Sequence, residues 1–183
     1  MATTCNLTAG RNEPCKDAIG GLQGVYFLNY TTGSFTKNAD GEVTAFPSGS
    51  TVYYYELKGT SAYTETVNSS RDNGTTFFSQ EVTLNLKKLT NEMTTQLKLM
   101  AYGRPKVVVH TKNGESLLVG EQQGADVTAG TIQTGGGLGD LYGYSVTLTA
   151  EEKLPAAFLS GSTVENPFAE FTAPGVPTIV YGS

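Results

Sequence analysis

The sequence predicts a mainly β fold, a β-barrel or β-sandwich with one short flanking α-helix over about residues 91–102. Three observations predict it. Charged residues make up only 16% of the chain while Gly reaches 22 residues, a composition suited to short strands joined by many turns. Phe78, Gln80, Val82, Leu84 and Leu86 alternate with Ser79, Glu81, Thr83, Asn85 and Lys87, the period-two pattern of a half-buried strand. Asn113-Gly114 stands between two apolar runs, Val107–Val109 and Leu117–Val119, a short-range hairpin signal in which both turn residues tolerate positive φ.

The elements follow in order. Residues 1–21 are polar and close on Gly20-Gly21, an arm in front of the fold. Leu22–Tyr30 is a strand rich in β-formers. Asp40-Gly41 is a hairpin turn leading into a short strand over Val43–Phe46, and Thr51–Lys58 is the next strand. Ser61–Val67 alternates again, and Asn68–Thr75 is a turn or loop because Asn, Asp and Gly stabilise turn dihedrals. After the strand at 78–86 the period lengthens. Met93, Leu97, Met100 and Ala101 form the stripe of an amphipathic helix. Thr90 or Asn91 caps it, and Gly103 and Pro105 stop it. Residues 121–141 hold six Gly without apolar periodicity, which predicts a long functional or flexible loop. Tyr142–Glu151 is a further strand. Residues 160–183 carry Pro167, Pro174 and Pro177 among Phe168, Phe171, Ile179 and Tyr181. They are too apolar for a solvated linker, and predict an arm that docks on a sheet edge or a neighbouring subunit. The organisation is therefore an N-terminal arm (1–21), a β domain (22–159) and a C-terminal arm (160–183).

No residue set points to catalysis. His110, the one histidine, ends a strand without a visible nucleophile or orienting acid, and reads as structural. Gly135-Gly136-Gly137-Leu138-Gly139-Asp140 lacks the Lys-Ser/Thr ending and following helix of a phosphate loop. Glu151 and Glu152 point to opposite faces of a strand, and Glu65 meets Glu81 only if the two strands pair in that register. Tyr53-Tyr54-Tyr55 alternate in facing, so a β core with one ring outward is the simpler account than an aromatic platform. No catalytic, cofactor-binding or metal-binding residues are expected. Cys5 and Cys15 lack the close spacing and His partners of a zinc site. A bridge between them needs an oxidising setting, and in a cytoplasmic protein two free thiols are expected. The N-terminus shows no signal-peptide pattern and no stretch approaches membrane-spanning length, so no membrane anchoring is expected. A net charge of −5 without a basic cluster argues against nucleic-acid binding, yet suits a surface that lets DNA pass without sticking.

Two stretches carry a family resemblance. NGESLLVG, the Gly-rich segment and GDLYGYSVTLTAEEKLPA resemble virion proteins of tailed bacteriophages, in the tail-tube or major tail protein group. CNLTAGRNEPCKDAIGGLQGVYFLNY is similar to structural proteins of phages and prophages of Bacteroidetes-type hosts. The resemblance spans most of residues 1–159. It implies a virion structural protein, assembled in the host cytoplasm, that self-associates into stacked hexameric rings of a tail tube or tail/neck ring around a DNA-conducting channel. The partners would be further copies and other virion proteins of the tail or neck. The loop would reach an adjacent ring through Gly124, Gly130, Gly135, Gly136, Gly137, Gly139 and Asp140. The C-terminal arm would reach a neighbour through Phe168, Phe171, Ile179 and Tyr181. Deleting 124–139 is then expected to leave the fold soluble and stop polymerisation, and outward Glu and Asp of the strands are expected to line the channel. The alternative is a capsid-decorating or receptor- and glycan-binding module using Tyr53 or Tyr55.

Overall fold

A computed structural model describes residues 7–182. The strands are β1 (Leu22–Leu28), β2 (Thr36–Lys37), β3 (Val43–Ala45), β4 (Thr51–Glu56), β5 (Ala62–Ser70) and β6 (Thr75–Lys87), then helix α1 (Asn91–Tyr102). They continue with β7 (Lys106–Thr111), β8 (Ser116–Val119), β9 (Asp126–Gln133), β10 (Gly143–Glu152), β11 (Ala157–Phe158) and β12 (Thr178–Tyr181). Two large sheets result, a six-stranded one in the order β11-β8-β7-β1-β4-β12 and a four-stranded one in the order β5-β6-β10-β9, beside a β2-β3 ribbon. They form a sandwich and not a closed barrel, so the sandwich branch of the expectation holds.

The core follows from the alternation. Val25, Phe27, Val107, Val109 and Val119 of the larger sheet face Val82, Leu84, Leu86, Tyr144, Val146 and Leu148 of the smaller one. The reverse face of the larger sheet is also apolar. There Tyr26, Leu28, Val52, Val108 and Leu118 are buried under Phe35, Val43, Phe46, Leu159, Phe168 and Phe171. The larger sheet is thus a middle layer, covered on one side by the smaller sheet and on the other by the β2-β3 ribbon and the tail.

This changes the reading of the C-terminal segment. Phe168 and Phe171 of this segment lie on the domain's own sheet, and β12 adds parallel to β4 at the sheet edge. Of the two docking modes expected, the edge of a sheet is the one realised within this chain. Phe168 packs edge-on against Tyr26 and Phe46, with ring centroids 5.4 Å apart in both pairs. At the other terminus, residues 7–20 are exposed and have no regular structure. Cys15 is exposed there, whereas Cys5 lies outside the described residues, so their bridge does too.

Helix α1 spans the interval expected for it. Thr90 Oγ1 accepts the Met93 N–H at 3.1 Å, which satisfies one orphan donor of the first turn. The buried Tyr144 hydroxyl donates to the Thr90 carbonyl at 2.9 Å and so pins the helix start to β10. Met93, Leu97 and Met100 are half-buried against the core, but Ala101 faces solvent, so the stripe is narrower than its period implied. At the β7–β8 turn only Gly114 takes positive φ, at +96°. Asn113 instead uses its side chain, accepting the Ile19 N–H at 3.0 Å and donating to the Ile19 carbonyl at 2.9 Å.

The strands give the domain two ends. At the hairpin end stand the β5–β6 turn (residues 71–74), the turn over 120–125 and Glu152. At the helix-entry end stand the β9–β10 turn (134–142), the start of α1 and the β7–β8 turn. Because Phe168 is buried beneath the middle layer, Phe168→Ala is expected to destabilise the domain by about 3–5 kcal/mol in urea unfolding. A loss under about 0.5 kcal/mol, the level of a surface substitution, would show that the tail is not part of the folded core.

Candidate assembly surfaces

The smaller sheet presents its second face to solvent. On it lie Thr64 and Thr66 of β5, Ser79, Glu81 and Thr83 of β6, and Ser145, Thr147, Thr149 and Glu151 of β10. Thr128 extends the row across β9, its hydroxyl 3.0 Å from that of Thr149. The face is hydroxyl-rich and acidic. Glu81 and Glu151 are exposed, Asp126 pairs opposite Thr149 at the margin, and Lys87 lies at the far end. Glu65 and Glu81 do not meet, because Glu65 pairs with Gln80 and Glu81 with Thr64, which sends the two carboxylates to opposite faces.

The Gly-rich stretch is not one loop. Asp126–Gln133 is strand β9, paired along β10, and Gly130 lies within it opposite Val146. Gly124 is buried in a separate turn at φ +79°, where an added Cβ would run into the Arg104 carbonyl. The loop proper is the β9–β10 turn. Gly135 takes φ +72° there, and the Asp140 carboxylate accepts the N–H groups of Gly136 and Gly137 at 2.9 and 2.7 Å. Those two donors hold the Asp140 carboxyl below its usual range. Gly139 and Leu138 stand free of the body of the domain. The seven loop residues predicted to act together therefore divide between two ends and a strand.

The four predicted arm residues also divide. Phe168 and Phe171 are buried, Ile179 of β12 is half-buried against the same core, and Tyr181 is exposed on β12. Beside β12, an open groove of about 750 Å³ runs between the sheet edge and α1. Tyr53, Tyr55 and Val180 line its sheet side, and Met93, Gln96 and Glu92 its helix side.

Polar groups that sequence reasoning left unassigned fasten the hairpin end. Glu152 is buried, and its Oε1 accepts the N–H groups of Gln122 and Gln123 at 2.8 and 2.7 Å. Gln80 Oε1 accepts the Gly120 N–H at 3.0 Å, and Gln80 Nε2 donates to Glu65 Oε1 at 3.1 Å. Lys106 is buried close by, its ammonium 4.7 Å from the Phe35 ring centroid and 5.5 Å from that of Tyr30. Burial pushes its pKa down, against the pull of Glu121 and Glu152. The signal available for Gln80 was its place on the apolar face of a strand, since a buried amide there needs partners.

His110 is fully engaged. Nε2 lies 3.0 Å from the Val164 carbonyl, which can only accept, so Nε2 carries the proton; Nδ1 lies 2.7 Å from Ser116 Oγ. Ser116 is buried and Ser162 Oγ donates to the Gly114 carbonyl at 2.7 Å, so the set ties residues 162–164 to the β7–β8 hairpin. Among the described residues no group of three or more His, Cys, Asp or Glu is placed to hold a metal ion, and no helix is long and apolar enough to cross a membrane. Comparison with protein-family models, curated proteins and solved structures finds no match to this chain.

The Asp140 contacts make a pH prediction. A carboxyl with a depressed folded-state pKa contributes stability above its unfolded value, near 3.9, which is lost as pH falls through the lower folded value. The Gly136 and Gly137 amide NMR signals are expected to titrate with a midpoint below that of a free aspartate carboxyl. A midpoint at or above that value would mean the turn is not held by the carboxylate.

Proposed function

We propose that the chain is a self-assembling virion structural protein, a subunit of a phage tail tube or tail/neck ring that surrounds a DNA-conducting channel. The observation that carries this reading is the smaller sheet, with a polar, acidic open face and two edges, β5 and β9, that pair with no further strand among the described residues. The four strands alternate in direction, so β5 and β9 run opposite ways. Setting β9 of one copy beside β5 of the next continues the antiparallel order, a head-to-tail contact that closes when the rotation per copy closes. The hydroxyl and carboxylate face would then line the channel. Glu81 and Glu151 there would repel phosphate and let the duplex slide.

Exposed apolar side chains support the same arrangement. Ile132, Leu99 and Tyr102 lie where β9 meets α1, and Val67 and Leu154 lie on the β5 side, where the Glu65 carboxylate accepts the Ala156 N–H. Two unlike sticky sides suit a heterologous interface better than a two-fold one. Hairpin tips project at opposite ends of the same sheet, with Phe77 exposed at one and Leu138 at the other, which suits axial stacking of rings.

A second reading, a capsid-decorating or glycan-binding module, is favoured by the tyrosines of the groove beside β12. Glycan-array binding by a discrete monomer or trimer, lost in Tyr53→Ala and Tyr55→Ala, would select it.

Negative-stain microscopy of the purified chain at high concentration is expected to show rings or short tubes; a species that stays monomeric at every concentration overturns the ring reading. The deletion that tests stacking is narrower than 124–139, which would remove β9 and the buried turn at Gly124. Replacing residues 134–142 by Asn-Gly joins the paired Gln133 and Gly143 in a two-residue hairpin. This variant is expected to keep its β-type circular dichroism and its single rings while losing tubes. Tubes of normal length would remove the turn from the assembly.

A further inference from the structure

We infer that His110, Ser116 and Ser162 form a proton-operated latch, closed when His110 is an imidazolium, that fastens residues 162–164 of the tail to the β7–β8 hairpin. The latch lies within one chain and is independent of the assembly reading. Four contacts make it. His110 Nε2 lies 3.0 Å from the Val164 carbonyl, and Nδ1 lies 2.7 Å from Ser116 Oγ. Ser116 Oγ lies 2.8 Å from Ser162 Oγ, and Ser162 Oγ lies 2.7 Å from the Gly114 carbonyl. Each is a hydrogen bond only when a proton lies between its two heavy atoms, and the carbonyls at both ends of the chain only accept. Four protons are therefore needed. The two hydroxyls bring two and a neutral imidazole brings one, whereas an imidazolium brings two and completes the set. Nε2–H then donates to Val164, Nδ1–H to Ser116, Ser116 to Ser162, and Ser162 to the Gly114 carbonyl. With a neutral ring, Val164 takes its only proton, and one of the other three contacts is left with lone pairs facing each other. His110 is 2% and Ser116 0% exposed, so water does not fill the missing place at either.

The latch sits where the tail crosses the turn. A Cβ on Gly114 would fall 2.8 Å from the Val164 nitrogen, so the two backbones touch. No carboxylate neutralises the ring directly. On β1 its partner is Gly24, over which the Tyr54 ring of β4 lies, and Tyr26 follows on the same face. Glu56 is next in that row, two strands away, and pairs with Lys58 at 3.1 Å. The tail brings Glu165 beside Val164, and Glu170 against Gly161. The turn carries Lys112, which lies by Gly21, and exposed Glu115. None of these forms an ion pair with His110 among the described residues. The charge is held instead by two ring N–H donors and a run of hydroxyls oriented by the Gly114 carbonyl. The closed latch holds a proton that the open one releases, so acid closes it and base loosens it.

His110 is the one histidine, so NMR of the untagged chain with isotope-labelled histidine reports this ring alone. In the folded chain both ring nitrogens are expected to carry protons at about pH 5, and Nε2 alone at about pH 8. Ser162→Ala is the discriminating variant. It deletes one proton and two contacts, which frees the Ser116 hydroxyl to donate to Nδ1, so the neutral ring becomes the satisfied one. This variant is expected to take up its second ring proton about one pH unit or more lower than the parent, about a tenfold loss of proton affinity. Ser160→Ala, a nearby hydroxyl outside the set, should titrate as the parent does. The Thr163 N–H donates to the Asn166 carbonyl at 3.0 Å. Its hydrogen exchange, corrected for the intrinsic rate, is expected to be severalfold slower at about pH 5 than at about pH 8, and His110→Gln should remove that difference. Thermal melting confirms that each variant folds. A folded chain whose ring keeps a single proton at about pH 5 overturns the inference. So does a Ser162→Ala ring that titrates at or above the parent's midpoint, or Thr163 protection that is the same at both pH values.

Discussion

The constraint on which the structure depends is the double burial of the larger sheet. Val25 and Phe27 point one way along β1 and Tyr26 and Leu28 the other, and all four are buried. Val108 alternates against Val107 and Val109 in the same manner along β7. A sheet with one apolar face needs one cover; this one needs two. The smaller sheet supplies the first. The second is assembled from a short β ribbon and a proline-broken tail held by aromatic edge contacts.

That division of labour separates scaffold from surface. Residues that fix the two cores are unavailable for contact with other molecules. What is left is the hydroxyl-rich face of the smaller sheet, its two edges, the turns at either end, the edge of β12 and the unburied flank of α1. All are faces, edges and turns that take no part in the two cores.

Much of the fold was legible because it follows period and turn chemistry. The strand at 78–86, the helix from its Thr90 cap to Gly103 and the hairpin at Gly114 each carry a local rule. Strand β9 was not legible. It is exposed along nearly its whole length, contains Gly130 and is shifted in register beside Leu148, so its side chains carry no alternation and its order comes from β10 alone. The buried places of Phe168 and Phe171 were hidden for another reason: an irregular backbone has no period, and its contacts are set by the sheet it lies on. The Glu152 and Gln80 bonds were hidden because they join the turn at 120–123 to strands far away in the chain. For the surfaces, composition indicated an acidic exterior, but only the pairing of β5, β6 and β10 sorts Glu81 and Glu151 onto one face and Glu65 and Glu152 onto the other.

The order in which the layers are made has a consequence for biosynthesis. Phe168, Phe171 and β12 follow in the chain every strand they cover, so a ribosome releases the sheet before its second cover exists. For that interval Tyr26, Leu28, Val108 and Leu118 form an open apolar surface on a nascent chain. Translation pauses, truncated products and early-stop variants would all expose the same patch. Such products would be sent to chaperones or inclusion bodies before the fold is complete.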